Sequence, residues 1–282
     1  MSGCQERREY SCLMSVYNGE SAPNLRRSLQ SIFDQTAPPS EFVIVCDGSL
    51  HEGLEHVLAE FCERYPAVVK RVDIPKSKGL WNALDKGMGA CSNEFVMRMD
   101  SDDWSAPDRA EKQLGLFRVM PDLDCCGSLV AEFSGKMADC VSQVKLPEWH
   151  EDIVKFSKRR NPMRHPAMMY KRESVVRAGG YQEALFFEDY DLVLRMIRNG
   201  CIFHNIQENL VHMQVSDGFY GRRGDLRYLM NMLQFRFSAF RRGDIGFGDF
   251  LYATTAHSVV CILPNRLRTL IYQKLLRESA SS

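Results

Sequence analysis

Apolar and polar positions over the first hundred residues alternate between two repeats. Tyr10–Tyr17 is a nearly unbroken apolar run of strand length, and Leu25, Leu29, Ile32 and Phe33 then recur at helical spacing. The pair is repeated. Phe42–Cys46 predicts a strand closed by the turn-forming Asp47-Gly48-Ser49, Leu54–Phe61 a helix, Val68–Ile74 a strand, Leu80–Met88 a short helix and Phe95–Met99 a strand. Strands alternating with helices predict an α/β fold with a mainly parallel central sheet wound by right-handed crossovers. Ligands of such sheets bind outside the carboxyl ends of the strands. Three of those ends carry Asn18, Asp47 and Asp100, so three strands bring polar groups to one rim.

Beyond Trp104 the signals predict a helix. Ser105 is its N-cap, Pro107 lies in its first turn, Asp108 takes the capping-box position, and Leu114, Phe117 and Val119 follow. The stretch to about Leu146 reads as β-rich. "FFEDYDLVLRMIRNG" predicts an acid-started helix closed by Gly200. Beyond Val215 the pattern is helical and basic, with ten Lys or Arg against six Asp or Glu over 201–282.

Composition narrows the class of function. The chain of 282 residues is 45% hydrophobic and 26% charged, which is ordinary for a globular protein. Its 36 basic and 36 acidic residues give no net charge, which argues against duplex binding through phosphate contacts and against a nucleic-acid partner. The opening MSGCQERREY has no apolar signal-peptide core, and no run reaches the roughly 18 apolar residues of a membrane span. The ten cysteines form no C-x-x-C pair and fall largely in apolar runs, so they are expected to be reduced core residues of a cytoplasmic protein.

The candidate chemistry is acidic. In "EFVMRMDSDDW" a strand-like run ends in Asp100, Asp102 and Asp103, carboxylates that repel one another unless a cation sits among them. A D-x-D at a strand end suits Mg²⁺ or Mn²⁺, which take one or two carboxylates together with substrate phosphates. An EF-hand loop fails at Trp104 and Ser105, and both a P-loop and a G-x-G-x-x-G are missing. Solvated turn aspartates remain the plain alternative. Lys76 and Lys78 precede a helix whose free N–H groups favour an anion, which suits a metal-bound diphosphate. A second acidic group, Glu188, Asp189 and Asp191, either stabilises a helix dipole or aims a base into a pocket.

"SVYNG", "DGS", "KGLWNAL", "RMDSDD" and "EDYDLVLRM", in this order, resemble the motifs of family 2 glycosyltransferases with the GT-A fold. "RHPAMMY", "GGYQ" and "DGFYGRRG" are most similar to the bacterial exopolysaccharide and O-antigen branch. The resemblance spans roughly residues 10–225. It implies a catalytic domain over 1–215, with a nucleotide-binding half (1–105) and an acceptor-binding half (106–215), and a helical extension over 216–282. It implies that Asp47 reads the nucleotide base, that Arg98 and Asp100 lie near base and ribose, and that Asp102 binds a Mn²⁺ or Mg²⁺ bridging the diphosphate. Tyr17, Asn18, Lys78 and Asn82 complete the implied donor-binding set, and Asp100 joins Asp102 as a metal ligand. Asp189 is implied as general base and Glu188 as its neighbour. His165 and Asp191 are implied around the acceptor, and Arg222 and Arg223 in a loop over diphosphate or acceptor. His212 is a further ligand candidate, with a structural role in its apolar run as the alternative.

The implied activity is inverting transfer from a UDP-sugar to a saccharide or lipid-linked saccharide. A nucleotidyltransferase would need a glycine-rich basic loop after the first strand, where only Gly19 stands. A non-catalytic sugar-nucleotide module would show a defective second acidic motif, yet Glu188-Asp189 is intact. In "RLRTLIYQKLLR", Arg266 to Arg277, Leu267, Leu270, Ile271 and Leu275 on one face and basic residues mostly on the other fit either an ordinary helix docked on the catalytic domain or peripheral contact with an anionic membrane at its cytoplasmic side, which the lipid-linked acceptors of the similar branch favour.

Overall fold

Alternating apolar side chains of the first strands are buried on both sides. In β1 (Tyr10–Tyr17), Cys12, Met14 and Val16 enter one core cluster and Leu13 another, and in β2 (Glu41–Asp47) Phe42, Ile44 and Cys46 oppose Val43 and Val45. A period-two strand with both faces apolar needs a helix layer on each side. The computed structural model, which describes residues 9–133, 140–143, 145–214 and 226–262, supplies both layers.

The first half continues as α1 (Ala22–Phe33, between β1 and β2), α2 (Glu52–Arg64), β3 (Val69–Ile74), α3 (Leu80–Ala90) and β4 (Phe95–Asp100). The second half adds β5 (Trp104–Ser105), α4 (Arg109–Val119), β6 (Leu123–Phe133), β7 (Cys140–Gln143), α5 (His150–Ser157), a 3-10 turn (His165–Ala167), β8 (Met169–Lys171), α6 (Arg172–Arg177), α7 (Glu188–Arg198) and β9 (Ile202–Gln214). Helices α8 (Leu226–Arg241) and α9 (Phe247–Ile262) follow. One nine-stranded sheet runs β3-β2-β1-β4-β8-β6-β9-β5, with β7 beside β6. Strands β3, β2, β1 and β4 are parallel, and the sheet is mixed beyond them: β8 is antiparallel to β4 and β6, and β9 is parallel to β6.

Local chemistry explains the main elements. Ser21 caps α1 by accepting the Asn24 N–H, and Leu25, Leu29 and Ile32 bury its inner stripe. Helix α3 lies so close to the sheet that a Cβ on Gly87 would stand 2.3 Å from Leu13 and 2.8 Å from Val45. Among the described residues seven cysteines are free and six of them are buried, as expected of small core hydrophobes.

Two expectations are corrected. Ser105 does not cap α4 but forms β5, with its N–H on Ser31 Oγ (3.1 Å) and its Oγ accepting from Arg109 (3.0 Å). The helix starts four residues later behind Asp108, whose carboxylate pairs with Lys112 (2.7 Å), and Val119 is exposed. Asp191 is no free carboxylate but part of a buried ion-pair group. Its two oxygens are held by Arg195 (2.7 Å) and Arg242 (2.6 Å), and it joins α7 to the end of α8 beside the cluster of Phe187, Tyr190 and Leu194 with Tyr228, Met232 and Phe235.

Breaking a buried ion pair from one side leaves an uncompensated charge, at a cost of about 3–5 kcal/mol. Asp191→Ala is therefore expected to lower unfolding free energy by about that amount in urea titrations. Nucleotide binding should be unchanged; loss of binding with unchanged stability would return Asp191 to the site.

Candidate functional site

The acidic loop is built on the end of β4 and braced by α1. Ser28 Oγ donates to the Asp100 carbonyl (2.7 Å), Arg27 Nη2 to the Asp102 carbonyl (3.3 Å), and Gln35 Nε2 to the Ala106 carbonyl (2.7 Å). The Arg27 guanidinium lies 4.1 Å from the centre of the Trp104 ring. With its backbone so held, the loop brings carboxylate oxygens of Asp100, Asp102 and Asp103 within 4.8 Å of one another.

Their environments differ. Asp100 is ion-paired to Arg98, a side chain only 1% exposed. Asp103 is buried, with one oxygen accepting the Gln214 N–H (2.9 Å) and the other, Oδ2, meeting no donor. Burial first, then the charges of Asp100 and Asp102, hold its carboxyl well above the usual range. Burial, Asp100 and Glu20 push Asp102 up to about 7. Three hard oxygen donors, one of them buried and orphaned, and repulsion that a cation would relieve form a set that fits a divalent metal ion. The His212 ring is not part of this group: it stacks on Trp104 (5.4 Å, 13°) across the β5–β9 pair.

Arg98 links this loop to the second acidic group. Its charge bears on Asp102 and Asp103 and also on Glu188 and Asp189, at the N-terminus of α7. Asp189 Oδ2 accepts from Asn161 Nδ2 (2.7 Å), and Oδ1 accepts the Tyr190 N–H (2.7 Å). Burial raises Asp189 above the usual carboxylate range, while burial and Asp189 push Glu188 up to about 7. Beneath them, His165 Nε2 lies 2.9 Å from the Tyr181 hydroxyl, which meets that of Tyr170 at 3.2 Å. Burial, then Arg98, keeps His165 well below its ordinary pKa, so the imidazole is neutral.

The remaining predicted residues line the rim. Asp47 ends β2 opposite Tyr17, accepts from Ser77 Oγ (2.7 Å), and keeps a buried Oδ1 without a donor. Lys78 and Asn82 follow Ser77, the first exposed and the second half-buried, and Tyr17 and Asn18 are exposed beside them at the end of β1. Arg222 and Arg223 lie outside the described residues, as does the 266–277 segment. Sequence reasoning missed Asn161, Tyr181 and the full engagement of Asp103. It also missed Glu20, whose Oε2 accepts from Ser101 Oγ (3.1 Å) and whose charge acts on Asp102.

Comparison with known proteins identifies the frame. Residues 11–179 match the family described as "Glycosyl transferase family 2". The chain belongs to that family. It is 34% identical over 269 residues, 95% of this chain and 97% of the relative, to the UDP-Gal:alpha-D-GlcNAc-diphosphoundecaprenol beta-1,3-galactosyltransferase of Escherichia coli. It is 29% identical to the amylovoran biosynthesis glycosyltransferase AmsE of Erwinia amylovora, over 94% of this chain and 98% of that one. The mannosyltransferase PcManGT of Pyrobaculum calidifontis, solved with GDP-Man and Mn²⁺, has a TM-score of 0.65 at 17% identity, covering 94% of this chain and 72% of that one. TarS of S. aureus, solved with UDP-GlcNAc, has a TM-score of 0.60 at 15% identity, covering 81% and 65%. These neighbours share the GT-A fold. The family 2 chain is thus a glycosyltransferase, as the Escherichia coli and Erwinia amylovora relatives are both named.

Among the described residues no helix is long and apolar enough to cross a membrane.

Carboxyls held above their unfolded values bind protons that the unfolded chain has lost. Their protonation stabilises the fold at low pH, and that stability is lost as pH rises from about 4 to about 7. Asp102→Asn should therefore raise the metal-free melting temperature most at pH 8, by roughly half as much at pH 5.5, and leave it nearly unchanged only below about pH 4. A gain of about 2–4 °C is expected for each kcal/mol of repulsion removed, read by scanning calorimetry in EDTA.

Proposed function

We propose that the chain transfers a sugar from a UDP-sugar to a hydroxyl of a lipid-linked saccharide, with inversion, in surface-polysaccharide assembly. The observation that carries this reading is the pair of acidic groups on which the one buried Arg98 charge bears, the first suited to a cation and the second to a proton. The donor class and the acceptor class are supported by the galactosyltransferase relative, whose name states both.

In this reading the orphaned Oδ1 of Asp47 accepts the uracil N–H, and Tyr17, Asn18, Lys78 and Asn82 border base, ribose and diphosphate. Asp102, with Asp100 and Asp103, would hold Mn²⁺ or Mg²⁺. Such a cation, when bound, neutralises charge on a departing diphosphate. Asp189 accepts the proton of the acceptor hydroxyl while that oxygen forms its bond to C1 of the sugar. The C1–O bond to the diphosphate breaks on the opposite face, and UDP leaves with the electron pair. Asn161 fixes the direction of the Asp189 carboxylate, and neutral His165, with Tyr181, borders the floor without adding charge. Glu188 keeps a proton up to about neutrality and can donate a hydrogen bond to the acceptor.

The expected consequences are separable. Calorimetry should show UDP binding that needs Mn²⁺ and is lost in Asp102→Ala. Asp189→Asn should retain that binding while kcat falls about 100- to 10,000-fold. UDP binding indifferent to metal and to Asp102 would sink the reading. Activity should also fall as pH drops below about 7. Excess Mn²⁺ should move the part set by Asp102 to lower pH and leave the part set by the base Asp189 in place.

We infer that the protein meets the membrane peripherally, in keeping with a lipid-linked acceptor. Helix α9 exposes Phe247, Leu251, Tyr252 and Val259, and the chain beyond it carries Arg266, Arg268, Lys274 and Arg277 against Glu278 alone. Flotation with anionic liposomes should weaken in Leu251→Glu; unchanged flotation would remove α9 from the contact.

A further inference from the structure

Phe186 is the one non-glycine residue with positive φ (71°) among the described residues. A bulky side chain adopts that conformation rarely, and strain of this kind gathers at functional sites. Packing does not account for it. The residue that anchors this loop is its neighbour Phe187, which is buried and stacked on Phe235 (4.9 Å, 4°). Phe186 instead turns outward and is 54% exposed, with Tyr228 supporting one side of its ring at 5.5 Å. Tyr228 is itself backed by Phe187 (5.4 Å) and by His257 (6.0 Å). The strained ring therefore rests on a rigid aromatic base. It stands two residues before Glu188 and three before Asp189.

We propose that Phe186 is the platform of an acceptor subsite, on which the apolar face of the acceptor pyranose lies while its hydroxyl meets Asp189. This rests on the reading of Asp189 as the base. Sugar C–H groups carry partial positive charge and suit the negative face of an aromatic ring. The surroundings fit a saccharide better than a hydrocarbon chain. Gln182 and Glu183 in the same loop are exposed, and with Leu185 and with Asn231 and Gln234 of α8 they line a groove of about 290 Å³ that also carries the Asp191–Arg242 ion pair; Phe186 is not part of its lining but follows Leu185 directly. The polar side chains of the groove offer donors and acceptors for hydroxyls. A lipid tail would leave them unsatisfied.

The test uses the full chain with Phe186→Ala, Phe186→Gly and Phe186→Trp. The acceptor is an α-GlcNAc diphosphate on a short alkyl chain, with UDP-galactose as donor, and its binding is also read by ligand-observed NMR with UDP and Mn²⁺ present. The Ala and Gly variants should melt at or above the wild-type temperature and bind UDP with Mn²⁺ unchanged. Their acceptor KM and dissociation constant should rise about tenfold, and Trp should restore both. A melting temperature lowered in Phe186→Gly would make the ring a structural element and overturn the subsite. Unchanged acceptor affinity in Phe186→Ala would do the same. A penalty confined to a polyprenyl-linked acceptor would assign the ring to lipid and also overturn it. Failure of wild type to bind UDP with Mn²⁺ would instead bring down the transferase reading, and the subsite with it.

Discussion

The site depends on a guanidinium with almost no water around it. Arg98 is 1% exposed and pairs with Asp100, while its Nε and Nη1 meet no hydrogen-bond acceptor among the described residues. A buried cation is costly unless it is paired or hydrogen-bonded; Arg98 is paired with Asp100, and its charge also bears on the other acids of both groups. Removing it would leave Asp100 without its ion-pair partner and take away a positive charge that bears on Asp102, Asp103, Glu188 and Asp189. The arginine thus sets how closely a cation-binding loop and a candidate base can approach.

A charge so placed needs a fixed backbone, and a second buried arginine supplies it. Arg109 is fully buried, and the hydrogen bonds it donates go to the carbonyls of Arg98 (2.8 Å) and Met168 (3.3 Å), to Gln113 and Ser105 and to the Met99 sulfur. Among the described residues no carboxylate pairs with it, and burial pushes its pKa down to about 10. It fastens β4 to the turn that carries His165, while Gln113 reaches the Ala167 carbonyl (2.8 Å). Helix α4 therefore works from behind the sheet to hold the front of the site.

The legible parts of this arrangement were those written in local pattern. Tyr10–Tyr17, Phe42–Cys46 and Phe95–Met99 read as strands because their apolar runs end in turn-forming or charged residues, and Asp47 and Asp100 fell at the strand ends for the same reason. The order of β8, β6 and β9 was not legible, since it is set by pairings between residues up to about eighty positions apart. Ser105 looked like a cap because its true partners, Ser31 and Arg109, lie on separate helices. Asp189 and Asp191 looked alike because both are acids in one helical turn. A helix rotates about 100° per residue, so two positions apart they point to nearly opposite sides. One faces Asn161, and the other is held by Arg195 and Arg242.

The same charges constrain the order of events. Asp100 is committed to Arg98, and Asp102 and Asp103 crowd the space where a diphosphate would lie. A free diphosphate arriving there meets like charge in a partly dry setting, where repulsion is stronger than in water. The orphaned Oδ2 of Asp103 and the raised Asp102 both favour a positive partner first. Cation and diphosphate are then best received together, each cancelling the charge that would exclude the other. Glu188 and Asp189 are raised first by burial, Glu188 also by Asp189, and the Arg98 charge lowers both, so the second acidic group keeps a proton balance governed mainly by its own burial.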